Sequence, residues 1–401
     1  MTFLRRISTR KLLALCAGVV VLVIGATVVA IAATGGGAKP PPKQLPVAIH
    51  DALAAKPVPG VTARIKFTND LISGGDVQGS DPLLTGASGR LWATADGQLR
   101  LELQSDLSNH GAVGDSQVLV NHGNVTVYDA GMNTAYEGTL PKQRASHQAK
   151  KESVPSVARI QKGLARVAKH AMVGGAVPSD VAGRPAYTVR VSPKPSAGGL
   201  VGGAELAWDA AHGTPLRVAL YAKGSSSPVL QLEATDISFG PVSQSVFDVS
   251  PPPGAKVTHV TPPKHGAKAH RQAAPVSGLS AVARHLSFKP SAPASLAGMS
   301  RSGVHLVGHG RDAGALLTYG HNLDGVAVLE TPAKGKAQLG SSSTNGEQPG
   351  VTLPSVSING ATGQELDTAL GTVVRFRRGG VDYTVVGSVL PAVAKAAASG
   401  L

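Results

Sequence analysis

From Glu205 to Val257 apolar and polar residues alternate with a period of two, which restricts this part of the chain to extended strands with one dry and one wet face. Leu206 and Trp208 share one side of a first strand, and the turn Asp209 to Pro215 reverses the chain. Leu216, Val218 and Leu220 then alternate with Arg217 and Ala219. After Gly224 to Pro228, Leu230, Leu232 and Ala234 alternate with Gln231 and Glu233. Three antiparallel strands and an extended exit segment follow from this spacing. No arrangement suited to catalysis interrupts them, so the stretch reads as a sheet that covers apolar material.

The same period recurs upstream. Val47 to Ala55 reads as a short helix ended by Pro57 and Pro59, after which Val61, Ala63, Ile65 and Phe67 alternate with Thr62, Arg64, Lys66 and Thr68. Asp96-Gly97 is a two-residue turn pair joining Arg90–Ala95 to Gln98–Gln104, with Leu99, Leu101 and Leu103 facing one way. A second hairpin is expected around His122 to Asn124, with Tyr136 in the strand beyond it. One helix interrupts the meander: Ser153 is the expected N-cap, Pro155 falls in the first turn, and Val157, Ile160, Leu164, Val167, Ala168 and Ala171 keep helical spacing. Arg159, Lys162, Arg166 and Lys169 occupy its other faces. Strands resume at Pro185 to Pro193, where Tyr187, Val189 and Val191 share a side. With 3% aromatic residues the core must be built from Val, Leu, Ala and Ile, and 49 Gly with 28 Pro demand many turns and connections.

The N-terminus bears on the compartment. Arg5, Arg6, Arg10 and Lys11 precede an uncharged run from Leu12 to Ala33, roughly 33 Å long as a helix, which matches a bilayer core. The flanking positive charge places Met1 to Lys11 inside and the rest outside, as a single-pass anchor. A secretory signal cleaved after the small residues Ala30 and Ala32 is the rival reading. Cys16 follows Leu15 rather than the small residue of a lipobox and reads as a small hydrophobe; as the only cysteine it excludes an intramolecular disulfide.

Between Pro251 and Pro290 the chain is rich in Pro, Ala, Lys and His and reads as a linker; His259, His265 and His270 lack metal-ligand spacing. Beyond it, strands are expected near His305–Val307, Gly314–Tyr319, Gly325–Glu330, Val351–Ile358, Thr372–Phe376 and Val381–Val389, with a closing helix at Pro391–Ala398. No GxSxG, HExxH or Walker A motif occurs, Gly308 to Gly314 lacks dinucleotide-loop spacing, and His305 with His309 has no third ligand, so neither catalysis nor a cofactor or metal is expected. The net charge of +14 suggests anionic partners. An outward location and scarce aromatics argue against nucleic acid and leave phospholipid headgroups, wall polymers or acidic proteins.

Several motifs resemble the LolA and RseB/MucB superfamily of extracytoplasmic lipoprotein carriers and lipid-sensing regulators. They are the W-D strand end at Trp208, G-T-P-L-R-V from Gly213, L-E-A-T-D-I from Leu232 and S-V-F-D-V-S-P-P-P-G-A-K-V from Ser245. L-T-Y-G-H-N-L-D-G-V-A-V-L-E from Leu317 and D-Y-T-V-V-G-S-V-L-P-A-V-A-K from Asp382 resemble the small C-terminal domain of the RseB branch. The resemblance implies an α+β fold: a curved antiparallel sheet forming an unclosed half-barrel with covering helices, plus a smaller C-terminal α+β domain. The expected division is a tip and anchor at 1–33, a Gly/Pro tether at 34–45, the half-barrel at 46–257, the linker at 258–294 and the small domain at 295–401. Periodicity alone leaves open whether the concave face is a solid core or a cavity. The resemblance implies a cavity for a lipid or lipoprotein acyl chain, with Ile65, Phe67, Leu99, Leu101, Val189, Leu216, Val218, Leu230 and Leu232 as candidate lining. The alternative is a regulatory module that binds the outer segment of a membrane partner such as an anti-sigma factor.

Overall fold

The structure is a computed structural model that describes residues 39–72, 77–78, 84, 86–105, 115–130, 132–140, 154–260, 276–333, 350–351 and 353–401. The expected anchor at 1–33 and the cap at Ser153 lie outside the described residues. Among the described residues, no helix is long and apolar enough to cross a membrane.

Helix α1 (Leu45–Ala54) precedes β1 (Gly60–Asn69), β2 (Val77–Gln78), β3 (Ala87–Thr94), β4 (Leu99–Ser105), β5 (Asp115–Asn121), β6 (Asn124–Asp129) and β7 (Thr134–Thr139). Helix α2 (Val157–Val167) follows, then β8 (Ala171–Val173), β9 (Val177–Val181), β10 (Arg184–Pro193), β11 (Val201–Asp209), β12 (Pro215–Ala222), β13 (Pro228–Phe239) and β14 (Lys256–Val260). The remainder holds helix α3 (Leu279–Ala283), β15 (Ser295–Leu296), β16 (Met299–Val307), β17 (Gly314–Tyr319), β18 (Val326–Pro332) and β19 (Gly350–Val351). It ends with β20 (Ser355–Ile358), β21 (Ala361–Thr368), β22 (Gly371–Arg378), β23 (Val381–Gly387) and helix α4 (Pro391–Ser399).

The first sheet has 13 strands in the order β14-β7-β6-β5-β4-β3-β1-β13-β12-β11-β10-β8, with β9 also on β10, and runs from β14 to β8 without closing. It is an open, curled half-barrel. Packing shows the curl. Leu232 pairs with Phe67 yet packs against the cluster of Ala93, Leu99 and Val120. In a flat sheet Ala93 would stand about 20 Å away, given strand spacings of roughly 4.8 Å and a rise of roughly 3.3 Å per residue. The main core of this sheet joins Val58, Val61, Ala63, Ile65, Leu101, Leu103, Val118, Leu216 and Ile237.

The second sheet has eight strands in the order β15-β16-β17-β18-β23-β22-β21-β20. Leu317, Tyr319, Val328, Val374, Phe376 and Val385 form one buried face, covered by α4 through Ala394, Ala397 and Ala398. The sheets meet where Leu200 N donates to Ser388 Oγ at 2.9 Å, where Ala369 N donates to Leu71 O at 3.0 Å, and where β2 pairs with β19.

Helix α2, the linker stretch and several strands depart from the expectations. Helix α2 begins later: Ser156 is the N-cap, its Oγ accepting from Arg159 N at 3.4 Å, and Pro155 lies before the cap. Pro155 disfavours helical backbone at the preceding residue, so the chain turns helical only after it. The helix also ends earlier, and Ala171 starts β8. The stretch expected as linker is structured at both ends. Lys256–Val260 pairs with β7 in parallel, through backbone groups that need no side-chain alternation. Val276, Leu279, Leu286, Phe288 and Ala292 pack against the second core. Strand β21 was not anticipated because its sequence, ATGQELDT, is polar, although Asn359-Gly360 (φ 48 and 80) supplies the two-residue turn that joins it to β20.

Candidate functional site

Facing residues in antiparallel strands point to the same side of a sheet, so register shows which candidates share a surface. Val189 faces Leu206, Leu206 faces Val218, Val218 faces Leu232 and Leu232 faces Phe67. A second row carries Val191, Ala204, Leu220 and Leu230. The two rows cross β10, β11, β12, β13 and, for the first, β1, a width of about 19 Å at ordinary strand spacing. Leu206 is 37% exposed, and Val189, Val218, Leu220, Leu230, Leu232 and Phe67 are half-buried.

Helices α1 and α2 lie over one end of this face. Leu45 and Ala48 from α1 pack with Tyr187 and Trp208, and Ile49 and Leu164 border that cluster. The Tyr187 hydroxyl donates to Pro41 O at 2.6 Å, and Lys43 pairs with Asp51 at 2.6 Å, which ties the entering chain to the helix and sheet. The opposite face of the strands is wet. Arg217 pairs with Glu205 at 2.8 Å, and Arg190 lies over the Tyr221 ring at 4.1 Å.

The nine candidates therefore divide. Phe67, Val189, Val218, Leu230 and Leu232 belong to the half-buried rows, whereas Ile65, Leu101 and Leu216 are buried in the main core and Leu99 in its neighbour. The residues that alternation did not single out as candidates, Leu206 and Leu220, complete the rows. Their signal was present in the sequence, since each keeps period two with a candidate.

Three polar features escaped the sequence reading. Asp209, 1% exposed at the side chain, accepts from the amides of Ala211 (3.0 Å) and His212 (2.7 Å), from the His212 ring at 2.7 Å and from Arg184 Nε at 2.9 Å. Burial opposes its ionisation, but the His212 and Arg184 contacts outweigh burial and hold the carboxyl below its ordinary range. The carboxylate serves to cap the β11–β12 turn. Glu330, fully buried in the second core, accepts from Ser291 N at 3.0 Å, and burial pushes its carboxyl up to about 7. Phe247, 1% exposed, seats the exit segment on the wet face, where Arg100 and Asn121 donate to the carbonyls of Val246 (2.9 Å) and Phe247 (3.2 Å). Among the described residues, no group of three or more His, Cys, Asp or Glu side chains is placed to hold a metal ion.

No family model matches the chain, and no curated protein matches it. Among solved structures the chain is similar to MucB. A crystal structure of MucB in complex with MucA(peri) is 16% identical with a TM-score of 0.38, covering 88% of this chain and 94% of that one. A structure of MucB alone is 17% identical with a TM-score of 0.34, covering 84% and 90%. An uncharacterized conserved protein from Thermus thermophilus is 11% identical with a TM-score of 0.31, covering 53% of this chain and 96% of that one.

Proposed function

We propose that this chain is an extracytoplasmic binding protein that takes a hydrophobic ligand, a lipid or a lipoprotein acyl chain, on the covered face of its half-barrel, held at the membrane by the run from Leu12 to Ala33. The observation that carries this reading is the pair of cross-strand apolar rows through Phe67, Val189, Leu206, Val218, Leu220, Leu230 and Leu232, which stay half-buried, or exposed at Leu206, beside a fully buried core. An alkyl chain laid along them would gain about 0.8 kcal/mol for each CH2 removed from water. Such binding needs neither a nucleophile nor a cofactor.

A second reading is regulatory, in which the chain binds the outer segment of a membrane partner such as an anti-sigma factor and lipid modulates that contact. A second sheet docked on the first through Leu200, Leu71 and β2 favours it, since a simple carrier has no use for that sheet.

The test is lipid extraction and mass spectrometry of the purified chain, with and without Val218→Asp and Leu230→Asp together. A carboxylate on a half-buried apolar surface costs several kcal/mol once a ligand covers it. Copurified lipid should fall at least about tenfold while circular dichroism is unchanged. A lipid-free protein that still captures a membrane partner would overturn the carrier reading and leave the regulatory one.

A further inference from the structure

Helix α2 presents a surface that the apolar rows do not use. Val157, Ile160 and Leu164 are half-buried on its inner side, and Leu164 packs against the α1 cluster. Arg159, Lys162, Arg166 and, just beyond the helix, Lys169 are exposed on the opposite side. Helical spacing places these four along one outward stripe. No Asp or Glu occurs from Ser153 to Ser179, and none of the four has an ion-pair partner among the described residues. Beside the stripe lies one exposed apolar side chain, Val167 (46%). A solvated face of this size ordinarily mixes both signs of charge.

The covalent chain says what this surface faces. Lys43 forms a β-bridge with Ala176, the residue before Val177. From Ala33, the end of the apolar run, to Lys43 the chain reaches at most about 35 Å when fully extended. The corner made by α1, α2, β8 and β9 is therefore the part of the molecule tied by the shortest path to that run. A cationic stripe with Val167 at its margin matches an anionic lipid surface, which attracts Lys and Arg side chains to the headgroups.

We propose that the α2 corner docks on the surface of an anionic phospholipid bilayer, with Arg159, Lys162, Arg166 and Lys169 among the headgroups and Val167 at the acyl boundary. The placement rests on the membrane reading above and adds an orientation to it: the covered face of the half-barrel is then held beside the lipids from which it draws its ligand.

The full chain, incorporated in vesicles of phosphatidylcholine alone or mixed with phosphatidylglycerol, would be treated with a water-soluble amine reagent at low salt. Labelling of Lys162 and Lys169 should be about fivefold slower on the anionic vesicles, with exposed Lys66 on the wet face of β1 unchanged. High salt should abolish the difference, and Arg159→Glu with Arg166→Glu should remove it at both lysines. Equal rates on the two vesicle types would overturn the proposal. So would protection that appears only with native membranes and their proteins, which would assign the stripe to an acidic protein. Flotation that survives alkaline carbonate reports the anchor separately. Protection of the lysines together with salt-sensitive flotation would leave the α2 docking standing even where that anchor fails.

Discussion

At the residue scale, the polar groups that matter most are buried ones. Glu330 sits among Ala315, Tyr383 and the Ser291 amide, and burial raises its carboxyl from an ordinary 4.5 to about 7. The folded chain thus binds this proton more tightly than the unfolded chain. The contribution is complete below about pH 4.5 and is lost as pH rises through about 7, a change of roughly 3 kcal/mol. Glu330→Gln keeps an acceptor for Ser291 without the charge, and denaturant melts should show it flattening the fall in stability from pH 5 to pH 8. Asp209 works in the opposite sense. Its carboxyl is held below 3.8 despite burial, so its contribution is present above that value and is lost as pH falls. Neither residue was legible as a site in the sequence, because the meaning of a lone acid depends on what surrounds it.

At the element scale, the turn from Asp209 to Thr214 and the exit segment after β13 show how local pieces are fastened. Gly213 adopts φ +67, and a Cβ there would come within 2.3 Å of Ala52 O in α1, so the hairpin turn and the helix meet backbone to backbone. The G-T-P sequence announced a turn but not its partner. Phe247 fastens the exit segment. Phe247→Ala should cost about 3 to 5 kcal/mol by leaving a hole beneath it. Hydrogen exchange should then rise first in residues 244–250, ahead of β4 and β5, because the ladder bonds of those strands do not depend on the ring. Alternation located β1, β4, β12 and β13 because their inner faces are buried and their outer faces wet. It missed β14, β21 and the short β8 and β9, whose residues pair mainly through the backbone.

At the scale of the whole molecule, the relation between the two sheets rests on small residues. Gly198 and Gly199 both have positive φ, 66 and 75, and a Cβ on Gly199 would lie 2.7 Å from Leu323 O. Gly199→Val should push the loop after β10 off the second sheet. Calorimetry should then show two separated transitions in place of a shared one, and the radius of gyration from small-angle scattering should rise. The amino-acid sequence by itself determined the alternating strands, β1, β4, β12 and β13 among them, and which face of each is apolar, because period-two burial is written one residue at a time. It also determined the basic, acid-free character of α2. Only the tertiary structure decided which apolar residues stay half-open. Ile65 and Phe67 share a side of one strand, yet Ile65 is buried in the core and Phe67 lies in the half-buried rows. That difference comes from the curl of the sheet and from what lies across it, and both depend on contacts between residues far apart in the chain.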